Sequence, residues 1–310
     1  MTVKMKTNYF VLLLCSMIMF ITCSSSSKGD DKDDPGGEIH EDQFQKLPKS
    51  GELKVMSFNV RYGSAVETDP NNNWDFRKAA CLEMINDQKP SVIGFQEAVY
   101  TTQWLYFKDN LAADYDGYGV GRNDGAEEGE CMGILYRKAD VEMLDHGTFW
   151  LSDTPDEPSK AISWGAGHYR TATWGIFRLK ATGQKCCYIN THLDLVPAAR
   201  AKSMELIQQR FALYNPEGFP QFLSADFNTN SEDVIFDELE KTMFNSRDYA
   251  PEGHTDFNGT YNKWGEKSMI IDDIFYTSSL SVIEYHTVTE SYGSSAFVSD
   301  HYPIYAIFKF

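Results

Sequence analysis

The chain after residue 50 alternates short apolar runs with segments whose apolar residues recur at helical spacing. The spacing predicts helices over Trp74 to Gln88, Thr102 to Leu111, Ala198 to Phe211 and Val234 to Phe244. The runs that predict strands are LKVMSFNV, SVIGFQ, GILYR, TFWLS, ATWGIFRLKA, KCCYINTHL, FLSADFN, IDDIFYTS, SVIEYHTV and PIYAIFKF. Two stretches, 114–130 and 153–169, read as long surface loops.

Many strands with few helices between them favour an α/β fold. We expect a four-layer α/β sandwich, in which two central mixed β-sheets pack face to face and the helices lie outside. No internal repeat and no second linker interrupt residues 51–310, so they are predicted to form one domain.

The first 22 residues have the pattern of an export signal. Lys4 and Lys6 precede an apolar run from Phe10 to Ile21, which is too short to span a bilayer that needs about 20 apolar residues. The run ends at Cys23, in a context that resembles a bacterial lipoprotein cleavage site, although Thr22 departs from the usual small residue. Lipidation of Cys23 would anchor an exported protein to a membrane, periplasmic or at the cell surface, and ordinary secretion is the alternative.

Residues 23–50 are rich in Ser, Asp, Gly and Lys, and predict a flexible acidic tether. Beyond it lie four cysteines, of which Cys186 and Cys187 are adjacent and should point to opposite faces of a strand. We interpret them as small apolar residues rather than as a disulfide.

The formal net charge of the chain is −17. Sequence-independent nucleic-acid binding depends on many contacts from Lys and Arg to phosphates, so this balance disfavours long nucleic acid as a partner.

Several polar residues stand at the ends of the predicted strands, where a rigid scaffold can bring them together. They are Asn59, Glu97, Asn190, His192, Asp226, Asn228 and Asp272. One strand-end Asn or Asp more often caps a turn, but the set indicates an active site.

Six strings in order, MSFNVRY, GFQEA, INTHLD, SADFNT, IDDIFYTS and SDHYPI, resemble the motifs of the endonuclease/exonuclease/phosphatase superfamily, which has the DNase I-like fold. The resemblance spans Leu53 to Ile304. FWLSDTPDEPS, YRTATWGIF and GTYN further resemble an exported bacterial branch. The resemblance implies metal-dependent cleavage of phosphoester bonds by in-line attack of water, and the acidity favours a small phosphoester or head group as substrate.

By this resemblance Glu97 is the leading ligand of Mg²⁺, for which Mn²⁺ or Ca²⁺ could substitute, and Asn59 and Asp300 contribute around the ion. Asp272 should pair with His301, with Asp273 as its rival. The resemblance further implies that Asp226 orients or deprotonates the attacking water, that Asn228 holds it or a phosphoryl oxygen, and that His192 donates to the phosphoryl group.

The candidate substrate contacts are Arg170, Asn190, Trp164 and Tyr261. A guanidinium suits oxyanions through bidentate hydrogen bonds, although a surface ion pair is nearly as good an interpretation of Arg170. Aromatic residues can stack on a sugar or a base, but many of them only pack.

Three other hypotheses stay open from the sequence. A secreted nuclease would share the chemistry, and the acidity argues against it. A surface module that binds a ligand without turnover should have lost catalytic groups, whereas all of the positions are present. A glycan-binding protein would use the aromatic residues.

Overall fold

The computed structural model describes residues 44, 45 and 47–310. The predicted signal peptide, Cys23 and most of the predicted tether lie outside these residues. Within the described part, no helix is both long and apolar enough to cross a membrane.

Fourteen strands and five α-helices make up the described part of the chain. The strands are β1 (Glu52–Asn59), β2 (Val92–Gln96), β3 (Ala98–Val99), β4 (Tyr115–Tyr118), β5 (Glu130–Cys131), β6 (Ile134–Arg137), β7 (Val141–Trp150), β8 (Thr171–Leu179), β9 (Lys185–His192), β10 (Gln221–Asp226), β11 (Met243–Asn245), β12 (Asp272–Thr277), β13 (Ser281–Thr287) and β14 (Ile304–Lys309). The helices are α1 (Trp74–Gln88), α2 (Leu105–Asn110), α3 (Pro197–Tyr214), α4 (Phe236–Leu239) and α5 (Ser246–Tyr249).

Two six-stranded mixed sheets form the centre of the fold. Their strand orders are β13-β14-β1-β2-β6-β4 in the first sheet and β11-β12-β10-β9-β8-β7 in the second. One pair in each sheet is parallel, β1 with β2 and β9 with β10, and the other pairs are antiparallel. Strands β3 and β5 form a small separate sheet.

Three apolar clusters divide the core into layers. The middle cluster lies between the two sheets and includes Val55, Phe222 and Phe308. The second covers the outer face of the first sheet with α1 and α2, and the third covers the outer face of the second sheet with α3. This is the predicted four-layer sandwich of helices, sheet, sheet and helices.

Helix α1 spans the predicted residues because its apolar positions face one sheet. Its buried residues recur every three or four positions, and Lys89, which takes a left-handed φ of 47°, ends it directly before Pro90. The second predicted helix begins instead as a π-helical turn, Tyr100–Trp104, which leads into α2.

The helix predicted over Val234 to Phe244 is wrong. Only Phe236–Leu239 is helical, and Met243–Asn245 pairs as β11 with β12. Edge pairing in the second sheet overrides the local helical pattern. The loop predicted over 114–130 likewise contains β4, which joins the edge of the first sheet.

The folded domain starts before the predicted residue 51. The backbone N–H of Gln45 donates to the Glu284 carboxylate at 3.0 Å, and the ring of Phe44 stacks on His286 with centroids 4.0 Å apart. These contacts attach the described end of the predicted tether to the first sheet.

The four described cysteines are free and buried. Cys186 lies in the cluster between the sheets and Cys187 in the cluster under α3, so their side chains point to opposite faces of β9 as expected.

Candidate active site

Polarity increases toward one end of the space between the sheets, where β1, β2, β9 and β10 end. We call this end the rim. Below the rim lies a fully buried layer of polar side chains. In this layer Gln96 Nε2 donates to Asn190 Oδ1 at 2.6 Å and to Ser57 Oγ at 3.1 Å. Ser224 Oγ also donates to Asn190 Oδ1, at 3.2 Å. Side chains facing the other sheet thus change from apolar to polar along each of these strands.

Strand register brings three rim residues level with one another. Asp226, the last residue of β10, lies opposite His192 on one side and opposite Asp272 on the other. Neighbouring strands lie about 4.8 Å apart, so these three side chains are held close together on rigid elements.

Asp226 is the centre of the site. Its Oδ2 accepts a hydrogen bond from Asn59 Nδ2 at 2.9 Å, and lies 3.5 Å from His192 Nε2 and 3.8 Å from His301 Nε2. Burial, and then the charge of Asp272, raise the pKa of Asp226 to about 7. A carboxylate with that pKa can accept a proton near neutral pH.

His301 is held as a cation. Its Nδ1 lies 2.8 Å from Asp272 Oδ2, and Thr260 Oγ1 donates to the same oxygen at 2.6 Å. Burial lowers the pKa of His301, but the carboxylates of Asp272, Asp226 and Asp300 outweigh it and raise the pKa to about 10. The predicted pairing with Asp272 is confirmed, and Asp273 instead pairs with Arg247 at 2.9 Å on the opposite face of β12.

His192 is held neutral. Asn228 Nδ2 donates to Leu193 O at 2.9 Å and lies 2.8 Å from His192 Nε2, so this ring nitrogen is the acceptor and the proton resides on Nδ1. Burial, followed by the charges of Arg170 and Arg122, lowers the pKa of His192 well below its ordinary value.

Glu97 and Asn228 both take left-handed backbone conformations, with φ of 60° and 52°. Non-glycine residues seldom adopt such φ values, and sites of this kind cluster where function demands them. Asn59 Nδ2 donates to Glu97 Oε1 at 3.1 Å, and the backbone N–H of Tyr62 donates to Oε2 at 2.8 Å. Although burial opposes it, the charge of His301 and these two bonds lower the pKa of Glu97, which keeps it ionised.

The rim offers oxygen donors suited to a divalent cation. Ligand atoms of Glu97, His192 and Asp226 lie within 4.8 Å of one another. Asp300 is near enough to Glu97 for the Glu97 charge, after burial itself, to raise the pKa of Asp300. Buried carboxylates that repel one another in this way fit a cation, and hard cations prefer such oxygens. His301 also lies near carboxylates, but its protonated ring cannot be a ligand.

The four predicted substrate contacts lie in different places. The ring of Tyr261 lies 4.9 Å from that of His301, at the site, and Arg170 Nε lies 3.5 Å from Asp194 beside His192. The side chain of Asn190 is fully buried one pleat below His192, where its Nδ2 donates to Phe95 O at 2.8 Å. This placement corrects the expectation that Asn190 contacts substrate.

Trp164 also departs from the prediction. Its indole is buried in the cluster under α3, and Nε1 donates to Asp153 at 2.8 Å. Packing, rather than substrate contact, accounts for this residue.

Three residues of the site were not predicted. Thr260 supports Asp272, Arg122 lies near Arg170, and Arg61 Nη1 lies 3.6 Å from Asp300. Thr260 and Arg61 belong to the strings GTYN and MSFNVRY, so the motifs contained a signal for them, whereas Arg122 stands in a stretch that reads as a loop.

The fold and the site together define the DNase I-like class of α/β sandwich proteins. The Endonuclease/Exonuclease/phosphatase family matches residues 56–301, and the chain belongs to this family. Members of the superfamily are phosphoester hydrolases that typically depend on a divalent metal.

Several similar proteins each cover more than four fifths of the chain. An endonuclease/exonuclease/phosphatase of Bacteroides vulgatus is 30% identical with a TM-score of 0.75, over 83% of this chain and 98% of that one. A mannosyl-6-phosphatase of Bacteroides thetaiotaomicron is 29% identical with a TM-score of 0.74, over 83% of this chain and all of the other. A protein of Acanthamoeba polyphaga mimivirus is 26% identical over an alignment of 277 residues, which covers 83% of this chain and all of that protein.

Proposed function

We propose that this protein is a metal-dependent hydrolase of a small phosphoester, such as a sugar phosphate or a head group, and that it works by in-line attack of water. The observation that carries the proposal is the position of Asp226 Oδ2, between Asn59 and the two histidines. The similarity to a mannosyl-6-phosphatase supports a sugar-linked substrate, and the net charge of −17 argues against long nucleic acid.

Each residue of the site has a separate role in the proposed reaction. Asp226, whose pKa is about 7, accepts the proton of the attacking water, while Asn228 holds that water or a phosphoryl oxygen. Protonated His301 places positive charge against the phosphoryl oxygens, and Asp272 fixes the orientation of its ring.

The metal completes the site. Glu97, Asp300 and Asn59 would hold Mg²⁺, with Mn²⁺ or Ca²⁺ as alternatives, and Asp226 lies next to them. When bound, the cation supplies charge stabilisation to the phosphoryl and leaving oxygens.

A substrate panel tests the proposal. The chain from Ser24 onward is assayed on mannose 6-phosphate, p-nitrophenyl phosphate, bis-p-nitrophenyl phosphate, DNA and phospholipids, with Mg²⁺ or with EDTA. We expect turnover of at least one small ester that EDTA abolishes and Mg²⁺ restores. Turnover that survives EDTA, or turnover of DNA alone, would contradict the proposal.

We also propose, from the sequence, that Cys23 is acylated and anchors the exported protein to a membrane. Expression of the whole chain with labelled palmitate tests this point. The wild type should carry label and sediment with membranes, and Cys23→Ser should do neither. Equal labelling of both proteins would contradict it.

A further inference from the structure

Arg122 and Arg170 lie close enough to each other and to His192 for the charges of both guanidiniums to act on the imidazole. Two consecutive residues at the end of β7 hold the backbones of these arginines: Trp150 Nε1 donates to Arg122 O at 2.7 Å, and Leu151 N donates to Arg170 O at 2.8 Å. Both side chains are largely buried. Their charges act on each other and on His192.

Unsatisfied polar atoms gather at this place. The buried atoms Arg122 Nε, Arg170 Nε, His192 Nδ1 and Asp194 Oδ2 have no hydrogen-bond partner within the described part of the chain. Buried donors are nearly always paired, so three donors left unpaired in one cluster indicate that an acceptor from outside the chain belongs there.

The charges around the two guanidiniums define the kind of acceptor. Glu130 binds Arg122 through both terminal nitrogens, at 2.8 and 2.7 Å, which fixes this side chain in place. Arg170 is held less firmly, since its Nε lies 3.5 Å from Asp194 Oδ2, beyond good hydrogen-bond distance. A stronger oxyanion can therefore replace Asp194 at Arg170.

We propose that Arg170 and Arg122, together with the Nδ1–H of His192, form a dianion-binding position, and that the preferred substrates are phosphomonoesters. This inference rests on the proposed function and refines it. A terminal phosphate carries close to two negative charges near neutral pH, whereas a phosphodiester carries one. In a protein with a net charge of −17, the second charge is favourable only where cations are concentrated locally.

Two esters with the same leaving group test the proposal. The full-length protein with Mg²⁺ is assayed at pH 8 on p-nitrophenyl phosphate and on methyl p-nitrophenyl phosphate. We expect Arg170→Gln to lower kcat/KM for the monoester roughly 10- to 100-fold, because charge-assisted hydrogen bonds to the phosphate are lost. The same variant should lower kcat/KM for the diester less than about threefold.

Two further variants distinguish the loss of positive charge at the site from a general defect in folding. Arg178→Gln removes an exposed arginine from the far end of β8, the strand that directly follows Arg170, and should leave turnover of both esters unchanged. The double variant Arg122→Gln with Glu130→Gln removes that ion pair as a unit and should again affect the monoester more than the diester.

Calorimetry gives a readout independent of turnover. Inorganic phosphate should bind the wild type at least about tenfold more tightly than dimethyl phosphate, and Arg170→Gln should remove most of this difference. Equal binding of the two anions, or equal loss for the two esters, would overturn the inference. If no phosphoester is hydrolysed in an EDTA-sensitive way, the proposed function is overturned instead. The phosphate-binding measurement would then still test whether the two arginines bind a dianion.

Discussion

His192 and His301 approach the same oxygen of Asp226 from two neighbouring parts of the rim, yet their surroundings keep one ring neutral and the other positively charged. His301 faces Asp272, whose carboxylate keeps the ring protonated. His192 is buried beside arginines and accepts from Asn228, which keep it neutral. Ring type alone therefore does not assign a role, because the groups around each ring decide which histidine acts as a cation.

Among the residues of the rim, Asp226 should have the largest effect on turnover when it is replaced. Asp226→Asn removes the proton acceptor while preserving size, so we expect kcat to fall by about 10²- to 10⁴-fold. Steady-state kinetics on the best ester of the panel measure the loss, and the exposed Asp237→Asn serves as control. A loss below tenfold would show that Asp226 is not the base.

Replacing each histidine by glutamine tests the difference in charge. Glutamine can reproduce a neutral donor and acceptor but not a cation. His301→Gln should lower kcat by about 10²-fold, in the range of lost transition-state donors, and His192→Gln by less than about tenfold. An equal loss of kcat in both variants would contradict the difference in charge between the two histidines.

Asp272→Asn should shift His301 toward the neutral form, in which His192 is held. The pKa of His301 is about 10 in the fold against 6.5 ordinarily, so protonation stabilises the folded protein fully below about pH 6.5, and this contribution is lost as the pH rises through 10. Urea unfolding of the EDTA-treated wild type should show that decline.

In Asp272→Asn this decline should become smaller, because only Asp226 and Asp300 then oppose the effect of burial on the pKa of His301. The stability difference between wild type and variant should accordingly be largest below pH 6.5 and shrink toward pH 10. A difference that does not change with pH would mean that Asp272 does not hold the proton on His301.

Thr260→Val should have the smallest effect. The variant loses the hydroxyl that donates to Asp272 at 2.6 Å and accepts from the backbone N–H groups of Ile271 and Asp272. We expect about 1 to 2 kcal/mol less stability in urea and less than a tenfold change in kcat.

Thr277→Val, at the far end of β12 from Asp272, is the control. Its hydroxyl accepts one backbone N–H, from Gln221, so the stability loss should be smaller while kcat stays unchanged. A larger kcat effect at position 277 than at 260 would contradict the supporting role of Thr260.

The sequence predicted the layers and most of the rim, because both depend on local patterns. Apolar spacing defined α1 to the residue, and strand-end polar residues fell where parallel strands end together. The helix expected over Val234 to Phe244 failed because sheet pairing of β11, which is set by distant residues, overrides local propensity.

The errors within the site have another cause. Alternation along a strand tells which face a side chain occupies but not how deep it lies, so Asn190 and His192 looked equivalent although only His192 reaches the rim. Arg122 was missed because the turn that carries it is acidic and glycine-rich, and only the tertiary structure brings it to Arg170.

Gly94, in the middle of β2, controls how closely the two halves of the molecule approach. A Cβ at this position would lie 2.2 Å from the hydroxyl of Tyr188 and 2.4 Å from Asn190 Oδ1, so any side chain would push the sheets apart. The residues that share the reaction come from both sheets, and Gly94 therefore acts as a spacer that tunes their separation. In a saturation scan selected for turnover, this chemically silent position should tolerate as little variation as the histidines.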